Sequence, residues 1–344
     1  MTDPSGWPLY MIAGAFALVA LIIGFFGIRM TATARDLAHN SGMGEALFGA
    51  LFIGASTSLS GITTSVTAAA AGHAELAVSN GLGGIAAQTT FLAFADIAYR
   101  RANLEHAAAS AENLFMSAFV LMLLAIHAAA LALPDVSLFA VHPATFILVL
   151  AYAFGVRLLA RTHDMPMWLP RRTTDTPPEA SLPERNRRQL LGIWISFAGQ
   201  AAVVALAGWS LSILAVPLGE QTGLSHGVVG GVFTAVATSI PELVVAITAV
   251  RMGALNLAVG DIIGGNAFDT LFIAASDIAY RDGPIYGAVS SAEQFWLANA
   301  MLMTSVLLMG LIYRERRGPG NIGLESVLLL FLYFGGVATL AVWR

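Results

Sequence analysis

The chain has 344 residues, of which 57% are hydrophobic and only 11% charged, with a net charge of −4 and a mean hydropathy of +0.75. A soluble domain carries about 25% charged residues, so the composition excludes a water-soluble globular fold, and the small negative charge argues against a nucleic-acid partner. Cysteine is absent, which removes disulfides, thiol catalysis and thiolate metal sites.

The first eight residues lack the basic start and cleavage pattern of a signal peptide, so the first apolar run is read as a retained span. A helix needs about 20 apolar residues to cross a bilayer. Ten stretches meet that length, at about 8–28, 43–71, 76–99, 112–133 and 143–160, then 190–217, 226–250, 255–280, 291–313 and 322–342. Their apolar runs are continuous rather than alternating, which predicts helices and not barrel strands. The Pro- and Arg-rich stretch 161–189 is the one sizeable polar segment and reads as a linker. The expected organisation is a first half at 1–160, the linker at 161–189 and a second half at 190–344.

All seventeen basic residues are arginine. With the N-terminus outside, fifteen of them fall on the cytoplasmic side, and Arg281 and Arg344 alone fall outside. That asymmetry is the positive-inside bias of a bacterial-type inner (cell) membrane protein, with the linker cytoplasmic. The Arg clusters of the linker suit anionic lipid headgroups.

Residues 52–100 realign on 233–281 at a constant offset of 181 without a gap, and twenty of the forty-nine positions are identical. The matches include Thr57/Thr238, Ser58/Ser239, Gly72/Gly253, Gly83-Gly84/Gly264-Gly265 and the closing Asp-Ile-Ala-Tyr-Arg. Five spans per half is an odd number, so the second copy enters the membrane inverted. The expected fold is all-α, ten spans in two inverted five-helix repeats, with a site at their interface near the midplane.

Polar residues inside the spans locate that site. In Thr238-Ser239-Ile240-Pro241-Glu242, Pro241 cannot donate to the carbonyl of Ala237, so backbone oxygens are freed at depth. Glu242 is costly in lipid and must face the bundle interior. On the next span, Asn266 and Asp269 sit three apart on one helix face. Hydroxyls, loosened carbonyls and carboxylates make a hard-oxygen site for Na⁺ or Ca²⁺. No phosphate-binding loop or enzyme motif appears, so ATP does not drive the protein directly and no enzymatic activity is expected.

The run TSIPE followed by GDIIGGNAFD resembles the α-repeat of the calcium/cation antiporter superfamily, the sodium/calcium exchanger membrane domain. The resemblance covers both halves, with α-repeats at about 43–100 and 226–281. It implies four ion sites between the repeats, with Thr238, Ser239, Glu242 and Asp269 as ligands from the second copy. It also implies that spans one and six slide across the other eight to switch access. The first copy departs from the pattern: Thr57 and Ser58 are kept, but Ser60-Gly61 stands where the second copy has Pro241-Glu242, and Gln88 stands opposite Asp269. One family glutamate is therefore missing. Gln88 is expected to add an amide oxygen, and Ile85 stands opposite Asn266.

The expected function is secondary active exchange of Na⁺ or H⁺ against Ca²⁺ or a related cation, with no cofactor besides the transported ions. Two alternatives stay open: a proton-coupled or monovalent exchanger, and a non-transporting sensor or scaffold. Asp96 and Asp277 are expected to pair with Arg100 and Arg281 at i+4. Ser110 and Ser291 are expected to cap the helices that begin with Glu112 and Glu293. His73 and Glu75, in the turn after the second span, read as capping or mouth residues.

Overall fold

The computed structural model describes residues 4–40, 54–99, 101–134, 136–164, 171, 187–316, 318 and 322–342. Most of the linker and the start of the second expected span lie outside them. The described chain is helical: α1 (Leu9–Asn40), α2 (Gly54–Thr57), α3 (Leu59–Ala70), α4 (Ala74–Tyr99), α5 (Leu104–Ala107), α6 (Ala111–Ala132) and α7 (Pro143–Asp164) precede the linker. After it come α8 (Arg187–Thr222), α9 (His226–Val228), a π-helical stretch (Val229–Thr234), α10 (Ala235–Thr238), α11 (Ile240–Arg251), α12 (Leu255–Ala279), a 3₁₀ turn (Ile285–Ala288), α13 (Ser291–Tyr313) and α14 (Leu324–Val342).

Among the described residues, eight helices are long and apolar enough to cross a membrane, and the bent pair 226–238 and 240–251 makes a ninth. The chain is thus a multi-pass membrane protein. The span expected over 43–71 is described only from Gly54 onward, as α2 and α3.

The layering runs against hydropathy: the two most buried helices are the least apolar spans, with mean hydropathy 1.2 and 1.3 against 2.6 for α1, because protein rather than lipid surrounds their polar groups. In α4 and α12, 83% and 78% of the apolar window is buried inside the protein, against 28% in α1 and 33% in α14. The first pair therefore forms the centre and the second pair the rim, where Leu21, Phe25, Phe331 and Phe334 are exposed. Gly81 of α4 lies beside Phe272 of α12, and Thr89 bonds Asn266, so the two central helices run antiparallel.

The duplication is written into the local geometry. Both α3 and α11 end in a left-handed glycine, Gly72 at φ 87° and Gly253 at φ 81°. In each copy the glycine and the residue after it bond back in the same way, Gly72 N–H to the Ala69 carbonyl and His73 to Ala68, Gly253 to Val250 and Ala254 to Ala249. Glycine adopts that conformation without a Cβ clash and lets the chain turn sharply into the central helix.

Two capping expectations are refined. Ser110 caps α6 through Asn113 N–H (3.1 Å). In the second copy the cap is Ser290 rather than Ser291, and Glu293 closes a capping box on it. The expected Asp277–Arg281 pair gives way to inward bonds, and Asp96 makes the matching bonds on its side. Asp277 accepts from the N–H groups of His142 and Ile285 (both 2.8 Å) and from the Thr145 hydroxyl (2.6 Å). Asp96 accepts from Leu104 N–H (2.7 Å) and Gly323 N–H (3.0 Å). A buried carboxylate gains more from fixed backbone donors than from a screened ion pair at the interface. Arg100 lies outside the described residues.

Candidate cation site

Two interrupted helices meet at the centre. α2 passes to α3 at Ser58 (φ −81°, ψ 2°), and α10 passes to α11 at Ser239 (φ −97°, ψ 6°) with a 45° bend. These are counterpart residues of the two copies, and both sit outside helical geometry. Proline is present at only one of the breaks, so Pro241 is not what both have in common. Each break exposes backbone oxygen to the interior, and the protein satisfies part of it: Ser60 Oγ donates to the carbonyl of Thr238 (3.1 Å), and Asn80 Nδ2 donates to the carbonyl of Gly61 (3.1 Å).

Ser58, Gly61, Asn80, Gly84, Gln88, Thr238, Ser239, Glu242, Asp269 and Phe272 line a narrow, tightly closed cavity between these breaks and the central helices. Asp269, 1% exposed, is held from the first copy at both oxygens: Ser58 Oγ donates to Oδ1 (2.6 Å) and Gln88 Nε2 to Oδ2 (2.7 Å). Gln88 Nε2 also reaches Ser239 Oγ (3.2 Å), and its Oε1 is left without a partner. Glu242 is 1% exposed and its Oε2 has no partner. Thr57 lies within hydrogen-bonding reach of the Glu242 carboxyl, while its Oγ1 also donates to the carbonyl of Gly54 (3.0 Å). Gly84 brings its backbone to Asp269, where a Cβ would stand 3.4 Å from Oδ2. An unpartnered carboxylate oxygen and an unpartnered amide oxygen, both buried, form an oxygen-rich cradle suited to a hard cation.

Six of the eight residues expected at the site line this cavity; Thr57 stands beside it on Glu242. Asn266 turns to Thr89 Oγ1 (2.9 Å), with its own Oδ1 unpartnered, and is not among the lining residues. Two lining residues, Asn80 and Phe272, carry no signal in a motif reading. Asn80 accepts from Thr234 Oγ1 (2.6 Å) and braces the first break; its counterpart at the repeat offset is Asp261, which is the clue that would have found it. Gly61 and Phe272 belong together. A Cβ on Gly61 would lie 2.5 Å from Phe272 Cε2, so the ring fills the space that a second glutamate would need.

At the outer edge, the His73 ring stands edge-on to His226 at 5.0 Å, and burial, then His226, lowers its pKa. Two long helices cross the breaks. Gly27 of α1 lies against Pro241, and Gly208 of α8 lies against Ser60, where a Cβ would meet the Ser60 carbonyl oxygen at 2.5 Å. These glycines are themselves 181 apart, and α1 and α8 pack along one another.

Comparison with known proteins places the chain in a family and a fold. The family model described as "Sodium/calcium exchanger protein" matches residues 11–160 and 190–342. The putative antiporter CaxA of Alkalimonas amylolytica is 25% identical over 332 residues, covering 94% of this chain and 97% of that protein. The inner membrane protein YrbG of Escherichia coli is 27% identical over about half of each chain (51% and 51%). In three dimensions the chain resembles the sodium-calcium exchanger NCX_Mj soaked with Na⁺ and Sr²⁺ (TM-score 0.62, 18% identity, 96% of this chain and 99% of that one). It also resembles native YfkE (TM-score 0.65, 16% identity, 97% and 93%). With both halves matched on either side of the linker, the chain belongs to the sodium/calcium exchanger protein family.

Proposed function

We propose that the chain exchanges Na⁺ or H⁺ against Ca²⁺ or a related cation across the membrane, through the cavity between the two broken helices. Family membership makes it a secondary active cation antiporter and not an enzyme. Glu242 and Asp269 supply the charge. Thr57, Ser58, Thr238 and Ser239 supply hydroxyl and carbonyl oxygens, Gln88 an amide oxygen, and Asn266 flanks the site from α12. The reading rests on one observation: Asp269 of the second copy is held at both oxygens by the first copy, next to a buried Glu242 oxygen that has no partner.

Two carboxylates balance one divalent cation. The Phe272 ring over Gly61 leaves no room for a third. That supports a smaller ion load per cycle than a site with glutamate in both repeats, and it keeps a monovalent or proton-coupled exchange as the second reading. The full layout belongs to the same proposal: ten spans in two inverted halves, N-terminus outside, linker in the cytoplasm. The antiparallel course of α4 and α12 supports the inversion. The glycine crossings of α1 and α8 over the breaks support their sliding as a pair.

The test is reconstitution in sealed liposomes with tracer Ca²⁺ and an imposed Na⁺ or pH gradient. Gradient-driven, saturable Ca²⁺ uptake that is lost in Glu242→Gln is expected. Flux of Na⁺ against H⁺ without Ca²⁺ dependence would select the second reading. No gradient-dependent flux of any of these cations would overturn both.

A further inference from the structure

We propose that the linker end of the molecule carries a proton-binding site formed by Glu105, Glu325 and Asp96, apart from the central cavity, and that its proton holds the start of α14 in place. The site does not depend on which ions the protein exchanges.

The cluster is assembled from three elements. Asp96 closes α4 with both oxygens taken by backbone N–H groups. Glu105 of α5 is 1% exposed; Ser326 Oγ donates to its Oε1 (3.3 Å), and its Oε2 has no partner. Glu325, in the first turn of α14, is 6% exposed, and its Oε1 has no partner. A Cβ on Gly323 would stand 3.0 Å from Glu325 Oε2, 3.3 Å from Glu105 Oε2 and 3.4 Å from Asn103 Nδ2, another buried atom without a partner. Two carboxyl groups and an amide thus converge on the space that glycine leaves open.

The charges that bear on Glu105 from its surroundings are those of Asp96 and Glu325, both acidic. The Arg314 guanidinium donates to the carbonyls of His106 (3.0 Å) and Arg171 (2.9 Å), and the His106 ring faces the Arg314 carbonyl (2.8 Å). Glu315 adds another negative charge near Glu325. The Arg316 carbonyl accepts from Asn103 N–H (3.1 Å), and Arg101 is exposed. Three carboxyl groups so placed cannot all be ionised at once without a large desolvation and repulsion cost. Burial, then Asp96, and further Glu325 push Glu105 up to about 8.

The other end of the molecule shows that the frame does not need these acids. At the repeat offset, Asp277 takes the place of Asp96 and accepts from His142 N–H and Ile285 N–H as Asp96 does from Gly323 and Leu104. There, however, Tyr286 replaces Glu105, Ala144 replaces Glu325 and His142 replaces Gly323. The Tyr286 ring packs on His142 at 4.9 Å, and its hydroxyl bonds His127 (2.8 Å). One hydrogen-bonded frame is filled by rings at one end and by surplus acid at the other.

Glu105 binds its proton more tightly when folded than the ordinary glutamate value of 4.5 allows. The folded state therefore holds more protons between about 4.5 and about 8, and stability falls as pH rises through that window. The test is amide hydrogen exchange of the full chain in detergent micelles, read over residues 322–328 and corrected for intrinsic rates, with a thermal melt at each pH. From pH 6.5 to pH 9 the wild type is expected to lose protection by about thirtyfold, since about 1.5 pH units separate the starting point from the Glu105 value of about 8. Glu105→Gln should lose less than about twofold, and Glu242→Gln should keep the full step, which separates this site from the central one. If Glu105→Gln does not fold, Glu325→Ala, which copies the opposite end, should move the step to lower pH. A flat wild-type profile, a Glu105→Gln profile with the same step, or an unmoved midpoint in Glu325→Ala would overturn the proposal.

Discussion

At the scale of single residues, the pairing of Gly61 with Phe272 decides how the first copy differs from the second. Gly61→Glu alone is expected to destabilise the protein by about 1–3 kcal/mol through overpacking against the ring, with no gain in Ca²⁺ affinity; thermal melts and calorimetry of the purified protein check this. With Phe272→Ala added, the new carboxylate has room. The double variant is then expected to bind Ca²⁺ at least about tenfold more tightly than Phe272→Ala alone, since a charged contact contributes about 1.5–3 kcal/mol. Asp269→Asn keeps the shape of the site but replaces an acceptor of two short bonds by an amide. A loss of about ten- to hundredfold in cation affinity is expected on the same scale, and full retention would show that Asp269 is only structural. The sequence pointed to Glu242 and Asp269 because acids are rare inside spans. It could not point to Phe272, since one more phenylalanine in an apolar helix carries no mark of what it touches.

At the scale of helices, the breaks and the helices that cross them act together. Ser58 and Ser239 interrupt counterpart spans, and Gly27 and Gly208 let α1 and α8 lie against those interruptions without side chains between. Gly208→Ala places a methyl group on the Ser60 carbonyl, and Gly27→Ala places one on the Pro241 ring. Both are expected to slow exchange several-fold while changing equilibrium cation affinity by less than about twofold, because neither glycine touches a ligand atom and overpacking of about 1–3 kcal/mol falls on the crossing. Flux and isothermal binding, measured on the same preparation, separate the two effects. The break at Pro241 was legible from the missing N–H. The break at Ser58 has no proline and was legible only through its alignment on Ser239.

At the scale of the whole molecule, sidedness is the open variable, and the absence of native cysteine makes it measurable. Arg171→Cys in the linker and Asp282→Cys beyond α12 should be labelled by an impermeant thiol reagent from opposite sides of intact vesicles. Arg171→Cys is expected to react only from the cytoplasmic side and Asp282→Cys only from outside. Labelling of both from one side would break the proposed layout. The antiparallel central helices, where Gly81 meets Phe272 while Thr89 meets Asn266, bear on the inversion and leave sidedness to this labelling.

Composition, the offset of 181 and the acids at mid-span determined the membrane class and the duplication and pointed to six of the residues that line the candidate site, because burial in lipid penalises polar groups so heavily that each one left there is a signal. What covers Gly61, where Asn266 turns, how Asp96 and Asp277 are satisfied and why the acids gather at one end were decided only in three dimensions. Those outcomes depend on which distant backbones approach each other, and van der Waals contact between helices nearly two hundred positions apart leaves no local pattern in the chain.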